Sequence, residues 1–361
     1  MNDSLGTESV KILAEFNKFF KPYFIPIAYT ICIFGIISNL INLTVLIHRS
    51  MRTPTNILLA VLAVSDLLQM VIYIPFNVIN QLGLVAGSDY WLALYLYFSV
   101  NLTLCLHLVS TGVILSLAVF RIIYIKLPVK KNNLCSFRKV RLSVVLVVIS
   151  SMLLILPSII IHQIDQNQNG TFKISINEKH QRFLLIFYAV TSKLIPSTVL
   201  LIFFLMIMYL IRKNNQNSKN LRKQNILGNT RSLSNIDINK DSVNQREKSG
   251  SRTTKILLII MILFIIAYLP HGITLVSNNK NIMEEIYNNL GDFFDLLQLL
   301  NNAINFILYC SMSRQFQTAF ISLLFNRKFS KVLEPKASTI FVNEKAKISK
   351  CLNDRPCETD I

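Results

Sequence analysis

Apolar runs separated by short polar segments recur along most of the chain. Each of seven runs has the roughly 20 residues that a helix needs to cross the hydrocarbon core of a bilayer. Inside lipid the backbone must satisfy its own hydrogen bonds, so these runs are expected to be helices. The pattern therefore predicts an all-α membrane protein, a seven-transmembrane helix bundle occupying residues 23–310. The predicted spans are residues 23–47, 56–79, 92–125, 142–161, 183–211, 256–276 and 290–310.

The segments outside the spans fall into four kinds. Residues 1–22, which begin with the polar run MNDSLGTES, form the predicted extracellular amino terminus. Residues 212–255 are rich in Asn, Ser and Lys without periodicity, which predicts a disordered third intracellular loop. Residues 313–325 repeat apolar side chains at helical spacing and predict an amphipathic helix on the inner leaflet. Residues 326–361 are the predicted disordered cytosolic tail. The apolar positions of the amphipathic helix are Phe316, Phe320, Leu323 and Leu324.

Composition and charge support this organisation. The chain is 52% hydrophobic and 16% charged with a mean hydropathy of +0.47, which is too apolar for a soluble domain. With the amino terminus outside, 28 of the 37 Lys and Arg residues lie on the cytoplasmic side. This bias predicts an extracellular amino terminus and a cytosolic carboxyl terminus. Because the cations flank membrane spans, the net charge of +18 indicates anionic lipid and a cytosolic protein partner, not nucleic acid.

Sequence motifs add modification and docking sites. Sequons at Asn2 and Asn169 lie outside the membrane and predict glycosylation. None of the six cysteines lies in an outer loop, so no disulfide is predicted, and none has metal-ligand spacing with histidine. The chain ends with Thr359, Asp360 and Ile361, which match the carboxyl-terminal pattern that PDZ domains bind by strand addition. No metal site is predicted.

A polar stripe runs along the seventh span. Its members are spaced by three, seven, three and four residues, which places them on one helical face. Polar side chains are costly in hydrocarbon, so this face should meet protein or a water-filled cavity. One interpretation is hydrogen bonding between helices. The other is a signalling path with an anionic outer mouth and an Asn–Tyr switch inside. The stripe consists of Asp292, Asp295, Asn302, Asn305 and Tyr309.

Asp66 is a carboxylate in the middle of the second span. At that depth it needs a cation, a polar network or a proton. A protonated, hydrogen-bonded carboxyl is one interpretation. The other is a Na⁺ site, since hard cations prefer oxygen ligands. The candidate partners are Asn39, Asn301, Asn302 and Asn305.

Five single residues interrupt the other spans. Trp91 begins the third span and is expected to be an interfacial anchor. His107 lies in the outer half of that span, where a packing role is the default, and Arg121 at its inner end is expected to snorkel. Lys193 lies within the fifth span, where an intramembrane cation is a functional candidate. Pro270 predicts a bend in the sixth span.

These residues carry a family resemblance. The chain resembles a rhodopsin-like (class A) G-protein-coupled receptor over all seven spans. The stretch from Leu290 to Phe316, LGDFFDLLQLLNNAINFILYCSMSRQF, is similar to the myosuppressin and FMRFamide-type peptide receptors of invertebrates. The residues on which the class A resemblance rests are Asn39, the LAVSDLL containing Asp66, the LAVFRIIY containing Arg121, Pro196, the AYLP ending at Pro270, and the segment 305–309.

The resemblance implies a plasma-membrane receptor for a short amidated neuropeptide ending in Arg-Phe-amide. It implies that the peptide Arg pairs with a carboxylate at the outer end of the seventh span and that the Phe-amide lies deeper. No cofactor is implied apart from Na⁺. The implied ligand-binding residues are Asp295, Asp292, His107, Lys193, Tyr268, His271, Gln298 and Trp91.

The resemblance also implies a switch. The sixth span would swing about Pro270 and open a cytosolic cleft lined by Arg121 and Tyr309, which would receive a heterotrimeric G protein. Phe264 and Asn305 complete the implied switch, and arrestin is an expected partner. The sequence departs from the family pattern at Phe120, at Phe306, at the pair Ala267–Tyr268 and in lacking the usual extracellular cysteine pair.

Three alternatives remain open from the residues. The first is a class A receptor for another peptide or a lipid; an amine is disfavoured because Thr103 occupies the position where amine receptors carry Asp. The second is a seven-span intramembrane hydrolase, which would need metal ligands at one depth, whereas the five histidines are scattered. The third is a transporter, but no internal repeat is visible. The prediction is a receptor and not an enzyme.

Overall fold

The computed structural model describes residues 2–84, 89–127, 131–168, 170–176, 178–228, 237–276, 280–312 and 314–324, and for the ends of several helices it describes the backbone alone. The chain divides into two compact units, Met1–Ser313 and Arg314–Ile361. The predicted cytosolic tail, residues 326–361, lies outside the described residues.

The first unit is built almost entirely of helices. Helix α3 covers the whole of the predicted third span. Helices α9 and α10 together cover the predicted seventh span. The helices of this unit are α1 (Asn2–Ile47), α2 (Pro54–Gln81), α3 (Tyr90–Lys126), α4 (Lys131–Leu134), α5 (Phe137–Ile161), α6 (Glu178–Tyr188), α7 (Ile195–Gly228), α8 (Asp237–Val276), α9 (Lys280–Ala303) and α10 (Asn305–Met312). The second unit contributes α11 (Arg314–Leu324), at the place predicted for the amphipathic helix.

The predicted fold class is confirmed. Among the described residues, six helices are long and apolar enough to cross a membrane, and the bent pair formed by α9 and α10 would be the seventh. The second to sixth of these spans lie in α2, in α3, in α5, in α6 with α7, and in α8. The chain is therefore a multi-pass membrane protein with a seven-helix bundle.

Three segments differ from the sequence prediction. Helix α1 begins at Asn2, so the segment predicted as a polar extracellular terminus continues the first span as one helix. Helices α7 and α8 extend to Gly228 and from Asp237 into the loop predicted to be disordered. Lys, Arg and Gln favour helix in the absence of proline, which explains these extensions. The third is an addition, since β1 (Gln163–Gln166) and β2 (Phe172–Ser175) pair as an antiparallel hairpin that was not predicted from the sequence.

The core of the bundle begins where α1, α2 and α9 meet. A cluster of buried side chains from these three helices includes Phe24, Cys32, Met70 and Leu299. At Gly35 the helices α1 and α2 approach so closely that an added Cβ would lie 2.1 Å from Met70 Sδ. Only glycine permits that approach, so α1 and α2 hold a fixed surface against which α9 packs.

The seventh span bends by 41° between α9 and α10. The break lies at Ile304, and no proline is present there. Two backbone carbonyls just before the break accept hydrogen bonds from side chains of α1: Asn302 O from Asn39 Nδ2 at 3.0 Å, and Ala303 O from Ser38 Oγ at 3.3 Å. Side chains that enter a helical ladder are a recognised cause of kinks. The bend re-aims α10, which carries Asn305 and Tyr309.

Candidate functional site

The acidic end of the predicted polar stripe faces the interior of the bundle. Asp295 is exposed and Asp292 is half-buried, both on the outer part of α9. Asp295 interacts electrostatically with Lys193, from the turn before α7, and with Tyr73 of α2. These electrostatic interactions with two other spans indicate that the carboxylate faces the interior of the bundle. The accessible surface of Asp295 therefore opens into the outer end of the bundle.

Lys193 reaches the interior because the fifth span contains one extra residue per turn at this point. Residues Ala189–Leu194 form a π-helical turn, closed by the Ile195 amide donating to the Val190 carbonyl. Pro196 follows and cannot donate to the carbonyl four residues before it, which favours such a distortion. The sequence showed Lys193 and Pro196 but not the π turn, because proline alone is equally compatible with a simple kink.

Lys193 is held against the sixth span by a histidine. Its Nζ lies 2.8 Å from Nδ1 and 3.1 Å from Nε2 of His271, and one of these nitrogens accepts the hydrogen bond. The accepting nitrogen carries no proton, so His271 is neutral where Lys193 is charged. The two helices approach closely at Gly272, where an added Cβ would lie 2.9 Å from Leu194 Cδ2 and 3.1 Å from Lys193 Cβ.

Aromatic rings connect this cluster with the core. The His271 ring stacks on Phe294 of α9, with centroids 4.8 Å apart and planes at 14°. Deeper in the bundle, His107 lies 4.9 Å from Tyr268, and Tyr268 lies 4.2 Å from Phe264. His107 is 6% exposed. Its Nε2 has no hydrogen-bond partner among the described residues, so it presents an unused polar atom.

The predicted ligand residues therefore divide into two groups. One group lies together in the outer half of the bundle and combines two carboxylates, one ammonium group, two histidine rings and a tyrosine. Gln298 is half-buried on α9, one turn below Asp295. Trp91 lies apart from them, because it is 76% exposed at the start of α3 and contacts the ring of Tyr90. The geometry of Trp91 fits the membrane-interface role. The residues that lie together are Asp292, Asp295, Lys193, His107, His271 and Tyr268.

A second polar cluster surrounds Asp66 in the middle of the bundle. Asp66 is 1% exposed. Its Oδ1 accepts a hydrogen bond of 2.9 Å from Ser110 Oγ, and its Oδ2 accepts one of 2.9 Å from Asn305 Nδ2. The carboxylate thus joins α2, α3 and α10. Ser110 was not among the predicted partners, because a lone serine in an apolar run gives no signal in the sequence.

The other predicted partners of Asp66 bind elsewhere. Asn39 donates to the Asn302 backbone, and Asn302 Nδ2 lies 3.5 Å from Gln69 Oε1. Asn301 hydrogen bonds to the Tyr268 hydroxyl. Tyr268 therefore connects the two polar clusters, since it also interacts electrostatically with both Asp66 and Asp295. Within the described residues, no group of three or more His, Cys, Asp or Glu side chains could hold a metal ion.

The inner end of the bundle carries Arg121 and Tyr309. The Arg121 guanidinium lies over the ring of Tyr124, 5.6 Å from its centroid. Tyr309 is 3% exposed and interacts electrostatically with Asp66. Burial raises the pKa of the Cys135 thiol, an effect that Arg121 and Lys139 only partly offset. The thiol therefore stays neutral beside Arg121 and does not supply an anion in place of Phe120.

Several predicted sites lie outside the described part of the chain. Asn169, Thr359 and Ile361 lie outside the described residues, and the side chain of Asn2 is not described. Glycosylation and PDZ binding thus stay predictions. Pro270 lies within the continuous helix α8, with Phe264 fully buried more than a turn before it.

Comparison with known proteins identifies the family pattern. A family model described as "7 transmembrane receptor (rhodopsin family)" matches residues 39–309, which include Asp66, Arg121 and Tyr309. The chain is 26% identical over 357 residues to the G-protein coupled receptor dmsr-1 of Caenorhabditis elegans, covering 86% of this chain and 69% of that protein. It is 29% identical over 319 residues to the human thyrotropin-releasing hormone receptor, covering 81% and 75% of the two chains. It is 23% identical over 326 residues to the sex peptide receptor of Drosophila melanogaster, covering 83% and 72%.

Proposed function

The chain belongs to the rhodopsin family of seven-transmembrane receptors, and from that premise we propose that it is a plasma-membrane receptor for a short amidated peptide ending in Arg-Phe-amide. The family and the relatives make it a peptide-type class A receptor and not an enzyme, which removes the hydrolase alternative. The peptide would enter from outside the cell, with the amino terminus of the receptor extracellular. A heterotrimeric G protein would bind at the cytosolic end.

The observation that carries the proposal is the charge of the outer cluster. Asp292 and Asp295 contribute two negative charges and Lys193 one positive charge, while His271 is neutral because it accepts from Lys193. The cluster is thus one positive charge short of neutrality. A ligand with one guanidinium and an uncharged carboxyl terminus supplies that charge. A free carboxylate on the residue after the Arg would bring a negative charge to the acidic cluster and offset the charge of the Arg there.

The geometry also fits the two ends of such a ligand. The guanidinium suits the exposed carboxylate of Asp295, since charge-assisted pairs with carboxylates are the strong ones. The terminal amide suits the deeper polar atoms, which are the Lys193 ammonium and the unused Nε2 of His107. The phenyl ring would lie near Tyr268, where aromatic surface is already present.

Transmission would run through the contacts of Tyr268. A ligand against His107 and Tyr268 would displace the sixth span, and the interaction of Tyr268 with Asp66 would carry the change inward. A receptor needs two states that the ligand binds with different affinity. In the active state Arg121 and Tyr309 would line a cytosolic cleft for the G protein and, later, for arrestin.

The proposal includes a Na⁺ ion at Asp66. Among the described residues no cation interacts with this buried carboxylate, and its neighbours are the uncharged Ser110 and Asn305. Asp66 and the Ser110 hydroxyl would supply the oxygen ligands that Na⁺ prefers. The ion would stabilise the resting state, so replacing Na⁺ by N-methylglucamine should raise agonist affinity. Equal affinity in both salts would indicate a protonated Asp66 instead.

The decisive experiment compares ligand charge with receptor charge. Synthetic Phe-Met-Arg-Phe-amide, its citrulline analogue and its free acid are applied to cells that express the receptor, and G-protein activation is measured. The Asp295→Asn variant should lose about tenfold or more in potency for the Arg peptide, because a hydrogen bond to a charged group contributes about 1.5–3 kcal/mol. It should lose little for the citrulline peptide. The matched control is Asp165→Asn, an exposed aspartate of the outer hairpin.

Two outcomes would contradict the proposal. The first is unchanged potency of the Arg peptide on Asp295→Asn, which would remove this carboxylate from the site. The second is a free-acid peptide as potent as the amide, which would contradict the charge argument. A receptor that answers none of these peptides but answers another peptide or a lipid would keep the family and exclude the proposed ligand.

A further inference from the structure

The first helix extends well beyond its membrane span. Residues 24–47 alone would cover about 36 Å at a rise of 1.5 Å per residue, which already exceeds the roughly 30 Å of the hydrocarbon core. Residues 12–23 continue the same helix by about 18 Å. This segment, residues 12–23, is called the amino-terminal arm below. The arm is helical throughout, with Pro22 next to its inner end.

One face of the arm binds the outer end of α9. The ring of Phe16 lies 5.9 Å from that of Phe293 at 84°, and the ring of Phe20 lies 6.1 Å from it at 73°. Both are edge-to-face contacts, the geometry that aromatic pairs prefer. On the same side, Asn17 Nδ2 donates to Asn289 Oδ1 at 3.3 Å. Contacts at positions 16, 17 and 20 therefore hold two successive turns of α9.

The contacted turn of α9 also carries the acidic mouth. Phe293 lies between Asp292 and Phe294 in the sequence, and Phe294 stacks on His271. Successive side chains on a helix differ by about 100° in direction. Phe293 held by the arm and Phe294 held by α8 therefore fix the rotation of this turn about its axis. That rotation decides where the carboxylates of Asp292 and Asp295 point.

We propose that the amino-terminal arm is a positioning element of the ligand-binding end: its contact with Phe293 and Asn289 sets the rotation of the outer turn of α9 and thereby the direction of Asp292 and Asp295. The inference does not depend on which ligand binds. A purely structural role for the aromatic contacts would add stability without changing the direction of the carboxylates. The experiment must therefore report direction and not only folding.

The chain offers a matched pair of variants. Phe16→Ala removes a ring that contacts α9. Phe19→Ala removes the same side chain three residues away, where the ring is 71% exposed and its ring contact is with Tyr23 of the arm itself. The reporter is Asp295→Cys in the full-length receptor, on intact cells. Its rate of reaction with an impermeant, negatively charged methanethiosulfonate reports how far position 295 opens toward the outside, against the unreplaced chain as background.

The expected result is a change of about threefold or more in the reaction rate when Phe16→Ala is added to the reporter, and no change for Phe19→Ala. If Phe16→Ala does not reach the cell surface, Asn17→Ala replaces it, since it removes the Asn289 hydrogen bond and keeps the rings. Equal rates in all variants would overturn the proposal and leave the arm a stabilising element only.

A second measurement tests the contact itself. The double variant Asn17→Cys with Asn289→Cys should form a disulfide under mild oxidation. Lys18→Cys with Asn289→Cys should not, because the side chain of residue 18 points about 100° away from that of residue 17. Failure of the first pair to cross-link would overturn the contact on which the proposal rests. Neither measurement needs a ligand, so failure of the proposed peptide would not be confused with failure of the arm.

Discussion

Asn305, on the inner side of the bend in the seventh span, donates a hydrogen bond of 2.9 Å to the buried carboxylate of Asp66. The second oxygen of the carboxylate accepts from Ser110. One side chain of the second span thus joins the third and seventh spans where the polar stripe passes the middle of the bundle. Any movement of α10 relative to α2 must change this contact, which makes it a place to test coupling.

Exchanging the two residues should preserve the contact while single changes break it. Asp66→Asn alone places two amides together and removes the charged acceptor, which should lower the maximal G-protein response about tenfold, since a lost hydrogen bond to a buried charged group costs about 1–3 kcal/mol. The double variant Asp66→Asn with Asn305→Asp restores one carboxylate and one amide. It should recover most of the response.

The measurement is agonist-stimulated nucleotide exchange, normalised to receptor number at the surface. Ser110→Ala serves as the comparison, because it removes the other hydrogen bond without touching the exchanged pair. If the double variant responds no better than Asp66→Asn, the Asp66–Asn305 contact does not contribute to signalling.

The contact of Arg121 with Tyr124 gives a second prediction. Phe120 stands where the family usually has an acidic residue, and Cys135 beside Arg121 stays neutral. The Tyr124 ring, 5.6 Å from the guanidinium, then restrains Arg121 in the resting receptor. A cation–π contact at an exposed site contributes about 0.5–1 kcal/mol. Tyr124→Leu should therefore raise basal G-protein activation about two- to fivefold.

Tyr124→Phe keeps the ring and should keep basal activation near that of the unchanged receptor. Tyr209→Leu removes a 61% exposed tyrosine near the inner end of the fifth span and controls for the general effect of losing a tyrosine there. Basal exchange is measured without ligand. Equal basal activity in the Leu and Phe variants would show that the ring does not restrain Arg121.

The fold was predictable because the bilayer makes it so. Runs of about 20 apolar residues have one stable structure in hydrocarbon, which is the helix. The orientation that the charge bias indicates stays a prediction. Contacts between distant segments were not predictable. Phe16 and Phe20 lie in the segment that was predicted to be an extracellular terminus. Nothing in the sequence shows that Phe293 lies against them.

The sequence indicated candidate site residues where a charged side chain would be energetically costly within the membrane. Asp66, Lys193 and Asp295 are charges within apolar spans, so the sequence indicated them as functional candidates. Hydrogen-bond partners that are not costly to bury, such as Ser110, were missed. The asparagines were all assigned to the network of Asp66, although Asn39 and Asn301 hydrogen bond elsewhere. Which side chain faces which helix depends on rotation and bends, such as the π turn before Pro196, that a single sequence does not specify.

Two glycines give a third prediction, on packing. An alanine at Gly272 would bring its Cβ within 2.9 Å of Leu194 Cδ2 and 3.1 Å of Lys193 Cβ, so the fifth and sixth spans must separate. Over-packing of this kind costs about 1–3 kcal/mol. Gly272→Ala should lower the thermal unfolding temperature of the purified receptor and weaken peptide binding through the Lys193–His271 pair.

Gly291 provides the matched control, since a Cβ there would meet nothing within 4 Å. Gly291→Ala lies within helix α9 and should stabilise it by about 0.5–1 kcal/mol, because glycine is entropically unfavourable in helices. Opposite shifts of the unfolding temperature in the two variants are expected. A shift of the same sign in both would contradict the close approach at Gly272.

The ring contacts of Tyr268 give the last prediction. Tyr268 touches His107 on one side and Phe264 on the other, at 4.9 and 4.2 Å, and its hydroxyl bonds to Asn301. If these rings carry displacement from the ligand to the sixth span, Tyr268→Leu should weaken peptide binding, because the ligand's phenyl ring loses an aromatic partner, and should also activate the G protein far less at saturating peptide. Tyr268→Phe keeps both ring contacts, so it should keep most of the maximal response. Binding and exchange are measured on the same membranes, which separates affinity from coupling. A Leu variant with full maximal response would exclude the rings as the route, and the interaction between Tyr268 and Asp66 would then have no part in signalling.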